Sequence, residues 1–159
     1  MRPPGRIRPP RPSRGTVAGV QIEIGARRVS RAQTVARWAL GAMLAAAGTS
    51  HLTFARREFQ AQVPPWVPVD PDTVVLASGV VEIALGASTL ALPRQRVRIG
   101  LVLAAFFVAV FPGNVSQYTH HVDGFGLDTD TKRFVRLLFQ PVLVAWALWS
   151  TGAVARRKG

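Results

Sequence analysis

Four apolar runs, each 19 or 20 residues long, constrain this chain more than any other feature: residues 36–54, 73–92, 99–118 and 134–153. At ~1.5 Å of rise per helical residue, each reaches roughly 30 Å, the thickness of a bilayer's hydrocarbon core. Buried helices of soluble proteins seldom recur four times at this length. The pattern predicts an all-α fold: a membrane four-helix bundle over residues 32–155, behind a disordered basic N-terminal tail over residues 1–31.

Charge sorts the rest of the chain. The net charge is +12, and residues 1–37 hold nine Arg against Glu23, which is +8 of it. The opening "MRPPGRIRPPRPSR" is rich in Pro and Arg without apolar periodicity, so it has nothing to fold around. "VAGVQIEI" (17–24) alternates weakly and reads as more of the tail rather than a strand. An alternative reading of "ARRVSRAQTVARWALGAML" is a twin-arginine export signal ending at "AAA" (45–47). The apolar run continues past it and three more follow, so an uncleaved first helix is simpler. The tail, the link "PRQRVR" (93–98) and the end "ARRKG" are all basic, and four spans place them on one side. The loops 55–72 and 119–133 hold most of the acids. The positive-inside rule then puts both termini in the cytoplasm of a multi-pass cell-membrane protein. Anionic lipid headgroups account for the tail's arginines, and no nucleic-acid partner is expected.

The chain contains no cysteine, which removes disulfides, thiol catalysis and cysteine-ligated metals from within it. "VPPWVPVDP" (63–71) should be extended, with Trp66 at headgroup level. "THHVDGFGLDTDTKR" (119–133) should be a hydrated loop. Its His120, His121, Asp123 and Asp128 match no metal-ligand spacing, so no metal is expected. Trp146 and Trp149 read as interface anchors.

One acid breaks the second run. Ser78, Gly79, Glu82 and Gly86 fall on one helical face, so Glu82 points at other helices rather than at lipid. A charge at mid-span costs about 2.5–3.5 kcal/mol, so it should be protonated or paired. His51, Asn114, Gln117, Arg136 and Gln140, on the other three helices, lie like Glu82 from the midplane outward, while the inner halves look almost purely apolar. Pro112 and Pro141 fall beside this set and should bend their helices or free a carbonyl. We take Glu82, His51 and Arg136 as candidate catalytic residues and Asn114 and Gln140 as candidate cofactor-binding residues.

The ordered set "GTSHLTFARREFQAQVPPWVP", "SGVVEIALG", "VFPGNV" and "RLLFQ" resembles the DoxX-like family of small four-helix membrane proteins, over residues 37–149. By that resemblance His51, Phe59, Pro64, Pro68, Gly79, Glu82, Pro112, Asn114, Arg136 and Gln140 occupy the family's recurrent positions. Leu52 stands where the family often has an aromatic, "LLF" replaces a proline-containing link, and the cysteines of disulfide-handling branches are missing. The resemblance implies a subunit of a membrane-associated redox or oxidative-stress complex, with a protein partner and quinone as the one candidate cofactor. No haem, flavin or iron–sulfur ligation motif is visible, so electrons would come from the partner or go directly to a bound quinone. The alternative is a non-enzymatic scaffold, or a binder of lipid or a small solute.

Overall fold

The computed structural model describes residues 29–154. The reading of residues 1–28 as tail, the weak alternation at 17–24 and the basic end 155–159 lie outside the described residues. Within them the fold is all-α, with no strand: α1 (Arg31–Leu52), α2 (Arg56–Gln60), α3 (Pro71–Ala91), a 3₁₀ turn (Pro93–Gln95), α4 (Arg96–Thr119) and α5 (Asp130–Thr151).

The helices begin earlier than hydropathy predicts, because polar caps set their starts. Ser30 and Gln33 close a reciprocal capping box on α1, each side chain accepting from the other's backbone N–H at 3.1 and 2.9 Å. The expected tail therefore gives way at Ser30, and Arg31 is already helical. Asp70 caps α3, accepting from the Thr73 N–H at 3.0 Å, with Pro71 pre-set for the first helical position. Thr129 caps α5, and Gly152 (φ 73°) ends it in the left-handed conformation glycine favours. α4 and α5 continue through Pro112 and Pro141.

Among the described residues, three helical segments are long and apolar enough to cross a membrane: α3, the 3₁₀ turn with α4, and α5. α1 has comparable length, 22 residues, but falls outside this set. Its apolar positions are largely alanine, and it carries Arg37 and His51.

α1 packs closely on α3, α4 packs on α5, and α1 also meets α5; α3 and α4 barely touch. The core, Leu40, Leu44, Ile99, Leu103, Phe107 and Ala147, lies between α1, α4 and α5. The α1–α3 crossing rests on two glycine pairs. A Cβ on Gly48 would lie 2.5 Å from the Gly79 carbonyl oxygen, and one on Gly86 2.7 Å from the Gly41 carbonyl oxygen. Gly41 faces Gly86 and Gly48 faces Gly79, so the helices run antiparallel with backbones in contact.

The bundle has a cap end, where α1 stops and α3 starts, and a tail end, where α1 starts. The tail end departs from the almost purely apolar expectation. Arg37 is 5% exposed and donates to the Thr89 carbonyl. That carbonyl's helical donor would be residue 93, a proline without an N–H, so the guanidinium satisfies a group the helix cannot. Ser150 and Thr151 are buried there too. Trp146 is a tie between helices as well as an apolar side chain: it is half-buried and donates to the Ala36 carbonyl at 3.0 Å.

Candidate functional site

The cap end holds a partly open cavity of about 280 Å³, and His51, Glu82, Asn114, Arg136 and Gln140 all line it. Its construction follows from the glycine crossing. His51 stands one turn beyond Gly48 on α1, and the close approach sets its Cβ 2.8 Å from where a Gly79 Cβ would lie. Glu82 follows Gly79 by one turn on α3. The His51 Nδ1 and Glu82 Oε2 atoms are 3.1 Å apart, with side-chain exposures of 5% and 13%. The contact is close but not aligned as a hydrogen bond, and neither atom has a hydrogen-bond partner among the described residues.

Arg136 reaches the cavity from α5 and sits within electrostatic range of Glu82. Its guanidinium donates to no acceptor among the described residues. Asn114 and Gln140 bind each other: the Asn114 Nδ2 donates to the Gln140 Oε1 at 3.0 Å, and the Gln140 Nε2 donates to the Phe107 carbonyl. The second bond lies next to the Val108 carbonyl, which Pro112 leaves without its helical donor. The amide pair thus ties α4 to α5 where the proline weakens the ladder. Ser78 lines the cavity and donates to the Val75 carbonyl. Gln117 does not line it. Its Nε2 is buried without a hydrogen-bond partner among the described residues, close under Gly124.

A roof of residues 56–67 covers the chamber, and its helical part α2 has no apolar periodicity to announce it. Phe59 meets the His51 ring edge-on, and Phe125 meets Phe59 with centroids 4.4 Å apart. The Phe125 N–H donates to the Glu58 Oε2 at 2.6 Å. Arg56 binds both oxygens of Asp72, and the Gln60 Nε2 donates to the same carboxylate at 2.8 Å. Residues 61–70 form no helix, but the extended chain expected over 63–71 is replaced by turns, with the Val67 N–H donating to the Pro64 carbonyl at 3.0 Å, and Pro71 already opens α3; Pro64 is buried. Trp66 is 68% exposed and also lines the cavity.

The loop between α4 and α5 is organised by ion pairs. Arg133, missed in sequence because it looks like a flank residue, is buried. It binds Asp123, Asp130 at 2.7 Å and the Val122 carbonyl at 3.4 Å. His121 pairs with Asp130 at 2.8 Å and Lys132 with Asp128 at 2.6 Å. The Lys132 ammonium holds the Asp128 carboxyl below the usual carboxylate range, with a backbone hydrogen bond assisting.

Among the described residues, fold and site together define an all-helical protein with three helices long and apolar enough to cross a membrane and a polar chamber at one end. The chain belongs to the family described as Domain of unknown function (DUF8561), whose family model covers residues 40–151 and therefore all five convergent side chains. No curated protein and no solved structure matches it.

Proposed function

We propose that this chain is an integral membrane protein, a DoxX-like subunit of a membrane-associated, quinone-linked redox or oxidative-stress complex. α1 serves as the fourth span, shielded by α3 and α5, with both termini cytoplasmic on the positive-inside rule. Broad apolar exposure supports the membrane setting: Leu101, Val102, Val108, Leu138, Phe139 and Val142 are all exposed, a surface that water disfavours. The basic tail binds anionic headgroups, and a membrane or peripheral protein partner supplies electrons.

The observation that carries the reading is the convergence of four helices' polar side chains on one cavity. The fit to a quinone rests on buried polar atoms without hydrogen-bond partners among the described residues: Gln62 Nε2, and His51 Nδ1 and Glu82 Oε2, which lie 3.1 Å apart, all on residues that line the chamber. A quinone's carbonyls accept hydrogen bonds, and its reduction takes up protons as well as electrons. Arg136 and Gln62 would hold a carbonyl, Glu82 Oε2 would carry the proton, and His51 would balance the carboxylate. Asn114 and Gln140 fix the wall behind them.

Glu82→Gln should lower quinone-linked turnover of the purified complex by at least about 100-fold, the usual worth of a general acid or base, with assembly intact. Unchanged turnover removes the carboxylate from the mechanism. The second reading, a scaffold or small-solute binder, is favoured by the contact of His51 with the Gly48–Gly79 crossing. It predicts instead that Glu82→Gln loses folded protein in detergent.

A further inference from the structure

The bundle is closed on three sides and open on the fourth. α1 holds α3, α5 holds α4, and α1 meets α5, but α3 and α4 make few contacts. The cavity lies against that gap: Val74, Ser78 and Glu82 line it from α3, and Ala109 and Val110 from α4. Ala109 is exposed on the helix flank while lining the cavity, so it marks where the interior meets the surface. The cap end is roofed. The Gln62 carbonyl oxygen would lie 2.5 Å from a Cβ on Gly113, so the roof is seated on the α4 backbone itself.

Volume and charge narrow the occupant. A space of about 280 Å³ lies just below the usual range of ligand pockets, ~300–1,000 Å³. It holds a ring-sized head but not a long chain as well. Glu82 sets a carboxyl group beside this space, within electrostatic range of Arg136, where it would meet an anion's charge, so a neutral head rich in acceptors suits the chamber better than an anion.

We infer that the cavity is entered sideways, between α3 and α4, by a membrane-dissolved molecule whose neutral, carbonyl-bearing head reaches Arg136 and Gln62 while its apolar tail stays in the gap. This rests on the quinone-linked reading and adds the route and the tail. Ala109 and Val74 are then the residues that set tail specificity.

The test uses the full chain in lipid nanodiscs and reads quenching of Trp66 by two probes, a decyl-tailed benzoquinone and its tail-free counterpart. Trp66→Phe identifies the signal. Ala109→Phe should weaken the tailed probe about tenfold and leave the tail-free probe within ~twofold. Val74→Phe, across the gap, should do the same. Val108→Phe, equally bulky and exposed but outside the cavity wall, should change neither. Equal losses for both probes, or no loss in either gap variant, overturns sideways access while leaving the quinone reading standing. A wild-type protein that binds neither probe overturns both.

Discussion

Adding a single methyl group at the α1–α3 crossing tests the central packing claim. In Gly48→Ala the new Cβ would sit 2.5 Å from the Gly79 carbonyl oxygen, 2.8 Å from the Ile83 Cγ1 and 2.9 Å from the Ile83 backbone nitrogen. Ordinary contact begins near 3.4 Å, so the backbones must separate by about 3.4 − 2.5 = 0.9 Å. Two of the three obstacles are main-chain atoms, which no rotamer change can move. Overpacking of this kind costs ~1–3 kcal/mol. Alanine's better helix propensity returns ~1 kcal/mol. The net is a loss of about 1 kcal/mol, or roughly 4 °C in the melting temperature of a domain this size. The assay is thermal unfolding in detergent, with Ala46→Gly, at an exposed α1 position, reporting propensity alone. The same separation would draw His51 away from Glu82, now 3.1 Å apart, so on the quinone-linked reading proposed above any quinone affinity should fall with stability. A Gly48→Ala protein more stable than wild type by the full propensity gain of ~1 kcal/mol would show that propensity acts unopposed and that the crossing is not tight.

Two other perturbations follow. Gln140→Leu strands the Asn114 amide at a buried position and should destabilise the protein by about 1–3 kcal/mol; a double-mutant cycle with Asn114→Ala measures the pair, and strict additivity would dissolve it. The Asp128 carboxyl, held below its usual range by Lys132, contributes stability that is present above the ordinary carboxylate pKa of ~3.9 and is lost as pH falls through the depressed folded value. Carboxyl NMR of Lys132→Ala should show the Asp128 titration moved up toward the ordinary range, with the backbone hydrogen bond still holding it somewhat low, and an unmoved titration would refute the pair.

Helical spacing alone turned Glu82 away from lipid and toward other helices, and depth alone selected His51, Asn114, Gln117, Arg136 and Gln140, of which the fold brings all but Gln117 to one chamber. Which of these atoms pair was not legible. That Gly48 seats on Gly79, carrying His51 to within 3.1 Å of Glu82, depends on the register of two helices. One helix's periodicity does not contain it. Arg37 was passed over because its acceptor is a carbonyl freed by Pro93, a backbone consequence invisible to hydropathy. α2 escaped for a related reason. It is five residues long, too short to show a period, and it is held by Arg56–Asp72 and Phe59–Phe125, contacts between distant parts of the chain. Hydropathy also misjudged the helix starts, because caps are built from the polar residues it scores as loop.

The seating of Gln62 on Gly113 has a consequence for length. Between the end of α2 and Asp70, the chain must deliver one carbonyl to one glycine and then reach the α3 cap. An added or deleted residue would miss that landing and shift the roof off the chamber. The tip of the other loop is different, because a Cβ on Gly126 would meet nothing within 4 Å. Insertions, epitope tags or fusion partners belong at Gly126, while the segment from 61 to 70 is a spacer of set length.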